Sequence, residues 1–312
     1  MSSEANARDH CPLCGRTTLS FVWMEHCADV VRCTRCRFVF TRRSSLHGVS
    51  GDRYWDSALG QQSGREAPDA DFTRTWSEDK HTVFDDVLEL LRRTAPGNSV
   101  LDVGCGPGFF VRRAGSRGFD AWGVEPGAPA VEFATGSLGL RTVERGTLAT
   151  LLDRKRRFDA ITLFNVLEHM LDPRGEIALA ARLLAPRGVI VVRVPNVAFH
   201  LPLARLRRAL LAPQPGYLSP TDHVNQFSAH TLAGLLGAEL GSQAILVRGC
   251  PTLEVESVRD LGRVGGALGA LAKRAYYAGG GALLTASGHR LYALPCVTAW
   301  ARRQYTSDEG RR

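Results

Sequence analysis

Leu101-Asp-Val-Gly-Cys-Gly-Pro-Gly-Phe-Phe110, in one-letter form LDVGCGPGFF, is the end of an apolar strand that runs directly into three alternating glycines and then an apolar helix start. A strand, a glycine turn and a helix in that order make a loop that can pass close beneath a ligand. The dinucleotide fingerprint places its third glycine three residues after the second, so that a helix N-terminus can face a pyrophosphate. Here the glycines are Gly104, Gly106 and Gly108, the third comes one residue early, and Phe109 fills the place where the fingerprint needs a small residue. Pro107 also removes an amide that a phosphate would use. Glu125 lies 21 residues beyond Gly104 at the end of the next strand, where a carboxylate can accept both hydroxyls of a ribose. The chain has no G-x4-G-K-[ST] sequence, which removes the P-loop nucleotide hydrolases. The expected ligand is a nucleoside without a phosphate bridge.

Strands and helices alternate outward from this loop. The patterning predicts strands over Ser99–Val103, Ala121–Val124, Leu140–Val143, Phe158–Phe164, Val189–Val194, Ala244–Val247 and Leu294–Ala301. Helices are expected over Thr82–Thr94, Phe109–Ser116, Ala128–Gly136, Glu176–Leu184 and Thr231–Leu240. Such alternation implies a doubly wound α/β fold with a mostly parallel sheet. The stretch between the last two strands is too long for a plain loop, so a helical insert is expected there. The resulting division is a metal-binding ribbon over 1–46, a linker or lid over 47–80 with Tyr54, Trp55, Phe72 and Trp76 as anchors, a core over 81–250, and the insert with a last strand over 251–312.

The ribbon follows from cysteine spacing. Five of the eight cysteines precede residue 40, and Cys11, Cys14, Cys33 and Cys36 form two C-x2-C pairs. Each pair lets two thiolates of one tight turn face a single tetrahedral ion, and Phe21-Val22-Trp23 and Val30-Val31 between them read as short strands. Four thiolates leave no coordination position for water, so the expectation is a structural zinc. Cys27 is expected to be a free thiol.

With 44% hydrophobic and 22% charged residues, the 312-residue chain has the composition of a globular protein. The apolar C-terminal stretch is interrupted by Lys273, Arg274, His289 and Arg290, and no spanning helix is expected. The opening MSSEANARDH has no basic segment leading into an apolar one, so the expected location is cytoplasmic. The net charge of +8 is spread as short arginine pairs rather than one block, and a nucleic-acid partner is not expected from it.

LDVGCGPGFF, then Gly-Val-Glu125-Pro-Gly, then FDAITLFNVLEHMLDP over 158–173 together resemble class I S-adenosylmethionine (SAM) methyltransferases. The resemblance implies a Rossmann-like sheet of seven strands and SAM as cofactor. It implies that the Gly104, Gly106 and Gly108 loop passes under the methionine part of SAM, that Asp102 orients that part, and that Glu125 binds the ribose. The acid these enzymes often use for the adenine amino group is missing from Arg145-Gly-Thr147-Leu148, so Thr147 and Leu148 are assigned to adenine through their backbone. Asn165 closes the cofactor set.

Asn165-Val-Leu-Glu168-His169 follows the fourth strand and is similar to the E-x-x-E-H of ubiquinone-type O-methyltransferases, in which the acids and histidine can support a divalent ion. The first acid is Asn165 here, so one charge of that set is lost; Glu168 and His169 are candidate catalytic residues, or caps of the following helix. Asp222-His223-Val-Asn-Gln-Phe-Ser228 is similar to a feature of methyltransferases with an N-terminal zinc ribbon, including deoxysugar C-methyltransferases, and points to His223 over the acceptor. Those sugar enzymes carry a further α/β domain that these 312 residues do not contain, so O-methylation of a sugar, glycan or secondary metabolite is expected over C-methylation. Two alternatives stand beside this reading. One is a zinc-ribbon RNA methyltransferase, supported by ribbon aromatics and Arg35, Arg37, Arg42 and Arg43 but lacking the N-P-P-[YF] tetrad; the other is a binding protein that keeps the fold without chemistry. Leu203–Leu211 reads as a basic amphipathic helix, an active-site lid or a membrane-surface segment.

Overall fold

The structure is a computed structural model that describes residues 9–46, 83–154, 156–210, 218–241, 245–250 and 294–304. The strands in chain order are β1 (Leu19–Glu25), β2 (Ala28–Cys33), β3 (Val39–Thr41), β4 (Ser99–Val103), β5 (Asp120–Glu125), β6 (Val143–Arg145), β7 (Phe158–Phe164), β8 (Leu184–Pro195), β9 (Asn225–Gln226), β10 (Ile245–Cys250) and β11 (Cys296–Arg302). Seven of them form one sheet in the order β10-β11-β8-β7-β4-β5-β6. The pairs among β4, β5, β6, β7 and β8 are parallel, and β11 runs antiparallel to both β8 and β10. The seven-stranded, doubly wound expectation is met.

Alternate side chains of the central strands go to opposite faces, as strand pleating requires. Leu101, Val103, Ile161, Leu163, Ile190 and Val192 belong to the core of one face. Val100, Ala160, Val189 and Val191 belong to the other, beneath the helix over residues 83–94 and the Phe109–Ser116 helix. On that side the rings of Phe84 and Phe110 meet edge to face at 5.2 Å, a geometry that adds to burial.

Differences from the sequence reading have local causes. The third strand is Val143–Arg145 rather than Leu140–Val143, and Leu140 instead packs over Gly108. The helix after β7 is Pro173–Leu183, beginning earlier than Glu176 because Asp172 caps it, accepting the Gly175 amide at 2.9 Å with proline in the first turn. The helix over Val197–Leu210 starts six residues before the basic segment, and Val197, Leu201 and Ala204 pack against Trp23, Val30 and Val39 of the ribbon. No helix among the described residues is long and apolar enough to cross a membrane. The lid over 47–80, the start of the first helix at Thr82, Ala244, Leu211 and most of the 251–312 insert segment lie outside the described residues.

β4 has β5 on one side and β7 on the other, so the chain order reverses between β4 and β7. In open parallel sheets the ligand crevice lies at the carboxyl ends of the strands at such a reversal. The loops at those two ends are 104–108 and 165–169, the segments the sequence singled out.

Candidate active site

All three loop glycines adopt left-handed backbone, with φ of +63° at Gly104, +52° at Gly106 and +80° at Gly108. They differ in what surrounds them. A Cβ at Gly104 would lie 2.5 Å from Cγ2 of Val166, and one at Gly108 would lie 2.6 Å from Cδ1 of Leu140. Those two glycines let neighbouring segments close onto the loop, whereas a Cβ at Gly106 would meet nothing within 4 Å. Gly106 therefore borders open space, and the backbone there is bare to a ligand.

Glu125, at the end of β5, faces the same loop. Its Oε2 accepts the Gly106 amide at 3.0 Å and its Oε1 accepts the Gly127 amide at 2.7 Å. A carboxylate has about four acceptor positions, so two backbone bonds leave capacity for a vicinal diol. Burial pushes the Glu125 carboxyl up, and the Gly127 and Gly106 amides oppose that shift. Asp102, on β4, is also buried and accepts the Thr162 hydroxyl at 2.7 Å. Burial, reinforced by the Glu125 charge, raises Asp102 to about 8 despite the Thr162 bond. This set fits the nucleoside sulfonium expected from the sequence: a bare glycine cradle, a diol acceptor, and a buried acid that a cationic ligand would ionise.

Thr147 and Leu148 lie just beyond β6. The Thr147 amide donates to Oγ1 of Thr150 at 3.2 Å, and the Leu148 side chain is buried in the main core. Asn165 follows β7 in left-handed backbone with φ of +56°, a conformation asparagine tolerates. Its Oδ1 accepts from Nη1 of Arg193, and its amide donates to the Arg193 carbonyl at 2.9 Å. Arg193 is buried on β8, and its Nη2 donates to Sγ of Cys296 at 3.2 Å. Sequence reading missed Arg193; its signal was a charged residue in an otherwise apolar strand.

Glu168 and His169 end the same turn, which abuts the glycine loop through Val166. Nδ1 of His169 donates to the Asp222 carbonyl at 3.0 Å and lies 3.3 Å from Oδ1 of the Asp222 carboxylate. The rings of His169 and His223 meet edge to face at 5.0 Å, and Nε2 of His223 is 3.7 Å from Oδ2 of Asp222. Burial alone would lower His169; the Asp222 carboxylate and the charge of Glu168 overcome it and raise the imidazole to about 9. Glu168, His169 and His223 each offer one ligand atom, and the three atoms lie within 4.8 Å of one another, a spacing that one bound cation could bridge. The structure thus brings together the three residues assigned to catalysis and adds Asp222, whose place next to His223 in the sequence gives no sign of its contact with His169.

The sulfurs of Cys11, Cys14, Cys33 and Cys36 lie within 4.8 Å of one another, with the Cys11–Cys36 and Cys14–Cys33 pairs each at 3.5 Å. Tetrahedral zinc with sulfurs at about 2.3 Å puts them about 3.8 Å apart, so the set fits a structural zinc. The two turns are built alike: Gly15 and Arg37 have positive φ and return their amides to the carbonyls of Cys11 and Cys33 at 2.8 and 3.0 Å. Cys27 is exposed in the β1–β2 turn.

The family model for a methyltransferase domain matches residues 75–243, more than half of the chain. A ubiquinone biosynthesis O-methyltransferase of Alkalilimnicola ehrlichii is 32% identical over 105 residues, covering 32% of this chain and 42% of that protein. One of Hahella chejuensis is 34% identical over 101 residues, covering 30% and 42%. The match therefore spans about two fifths of the length of those relatives. The crystal structure of the plantazolicin methyltransferase BamL, in complex with a triazolic desmethylPZN analog and SAH, superposes with a TM-score of 0.52 at 15% identity, covering 81% of this chain and 94% of that one, which speaks to the fold. Since the matched segment contains both the glycine loop and the Asn165–His169 turn, the chain belongs to the methyltransferase-domain family.

Proposed function

We propose that the protein transfers a methyl group from SAM to a hydroxyl of a small acceptor, a sugar, glycan or secondary metabolite. The observation that carries this reading is the His169–His223 pair on Asp222, set beside the glycine loop at the sheet's reversal point. Bound SAM supplies an electrophilic methyl carbon. The Gly106 backbone, Asp102 and Glu125 would hold the cofactor, with Thr147 and Leu148 beside its base and Asn165 completing the set. His223, whose ring is about a quarter exposed, would accept the proton that the acceptor hydroxyl gives up on methylation. His169, kept protonated by Asp222 and Glu168, fixes that ring and offers positive charge to the oxygen. The division into ribbon 1–46, linker or lid 47–80, core 81–250 and insert 251–312 stays the working one.

The RNA alternative is left with little of the ribbon to stack on, because Trp23, Phe38 and Phe40 are buried and Phe21 is the exposed ring among its described aromatics. Arg42 is held by Asp9 at 3.1 Å, and Arg43 donates to the Leu171 carbonyl. The test is transfer of labelled methyl from SAM to a panel of hydroxylated sugars, glycans and phenols, beside amines and RNA. Label in a hydroxyl acceptor, lost in His223→Ala while SAM binding persists, is the expected result; label in RNA or in an amine would overturn it.

A further inference from the structure

The ribbon does more than bind a metal: its sheet is completed by the acceptor loop. The four-stranded sheet has the order β1-β2-β3-β9, and β9 is Asn225–Gln226, two residues past His223. Val39 pairs with Gln226, and Phe40 with Asn225. Ribbon side chains then grip the loop at both ends. Oε2 of buried Glu25, on β1, accepts the Leu218 amide at 3.2 Å. The Thr41 hydroxyl donates to the Pro220 carbonyl at 2.7 Å, and the Thr41 amide donates to the Val224 carbonyl at 2.8 Å.

On its other side the loop holds the Glu168–His169 turn. The Asn225 amide donates to the Glu168 carbonyl at 2.9 Å, and Nδ2 of Asn225 donates to the Leu167 carbonyl at 3.1 Å and to that of Met170. Nε2 of Gln226 donates to the carbonyls of Leu218 and His223 at 2.9 and 2.8 Å, closing the loop on itself. Asn225 is thus tied to the ribbon by its strand pairing and to the Glu168–His169 turn by its own amides. The cysteine cluster fixes the strands that do the gripping, because Cys33 ends β2 and Cys36 lies three residues before β3. Phe38, between them, packs on Phe227 with ring centroids 5.0 Å apart.

We propose that the zinc-held ribbon is the template that sets His223 and Asp222 against His169, with Thr41 and Asn225 as positioning residues. The proposal rests on the reading of the two histidines as the acceptor site. Thr41 and Asn225 touch neither cofactor nor acceptor; they act through the loop. Occupancy of the cysteine site therefore acts on acceptor chemistry before it acts on the neighbouring glycine loop, whose amides are hydrogen-bonded to Val124 and Glu125 rather than to the 218–226 loop.

Hydrogen–deuterium exchange on the full chain tests this without an acceptor, comparing zinc-replete protein, chelator-treated protein, Thr41→Val and Thr41→Ser. Loss of one buried hydrogen bond should raise exchange over residues 218–226 by about tenfold in Thr41→Val. Thr41→Ser should restore it, and chelation should release the same peptides together with 11–41. In Thr41→Val, exchange over 101–110 and the SAM dissociation constant should stay within about twofold, because the glycine-loop amides are bonded to Val124 and Glu125 and not to the 218–226 loop. With an acceptor in hand, Thr41→Val should lower kcat with KM for SAM unchanged, and Thr41→Ser should recover kcat. Protection of 218–226 that survives chelation while 11–41 exchanges freely would overturn the proposal. So would loss of SAM binding in step with loop exchange, which would mark the ribbon as a support of the whole fold. Failure of the methyl-transfer reading shows separately, as unaltered turnover in His223→Ala with loop coupling intact.

Discussion

Asp222 holds Nδ1 of His169 twice, by its carbonyl at 3.0 Å and its carboxylate at 3.3 Å. A histidine gripped in this way is set in one orientation and favoured as a cation. The fixed ring then gives His223 an edge-to-face partner at 5.0 Å.

His169 should titrate near 9, where the ordinary value is about 6.5. A raised folded value means the pair is fully formed below about pH 6.5 and is lost as pH rises through about 9. The imidazole resonances of labelled protein should report this, with Asp222→Asn moving the midpoint down. A midpoint below 7 in the wild type would contradict the ion pair, and with it the assignment of the proton-accepting role to His223.

The loop glycines should separate by surroundings. Gly104→Ala drives a methyl into Val166 at φ of +63° and should cost about 2–5 kcal/mol, from strain and overpacking together. Gly106→Ala has open space and should cost only the left-handed strain, about 1–2 kcal/mol. It should nonetheless lose SAM affinity, because its methyl enters the ligand's space. Thermal melts beside SAM titrations check both halves, and equal stability losses would show that the surroundings do not decide.

Glu125→Ala should abolish measurable SAM binding and also destabilise the chain by about 1–3 kcal/mol, since the Gly106 and Gly127 amides lose their acceptor. Glu125→Gln keeps one good acceptor oxygen and should fall between. Calorimetric titration with SAM, with NAD as the control ligand, gives the affinities.

Asp102, raised to about 8, holds its proton at neutral pH in the free protein. A cationic ligand beside it should pull that value down, so SAM binding at pH 7 should release a proton to the buffer. The calorimetric enthalpy should then depend on the buffer's ionisation heat, and the dependence should shrink in Asp102→Asn. An enthalpy that is the same in every buffer would show that Asp102 does not ionise on binding.

Purified protein should carry one zinc per chain, removable by chelator at a rate that Cys14→Ser accelerates; elemental analysis with a thiol-competing dye checks both.

Much of this protein is decided by short-range pattern. The period-2 strands, the glycine spacing at 104, 106 and 108 and the two C-x2-C turns are properties of a few adjacent residues, so the sheet, the cofactor loop and the cysteine site are legible from order alone. Glu125, Glu168 and His169 could be named because each follows a readable strand, and His223 through the resemblance carried by Asp222–Ser228. Their partners could not. Thr41 and Pro220 are 179 residues apart, and His169 and Asp222 are 53 apart. No local periodicity encodes contacts at that range; they exist because the sheet reversal brings the ends of β4 and β7 together and the ribbon edge accepts β9. Leu148 shows the same division. Its place after β6 was readable, but its burial in the core was set by helices and strands distant in sequence. The sequence by itself specified the elements and the chemical types at their ends; the tertiary structure decided which charges, hydrogen bonds and rings those types would meet.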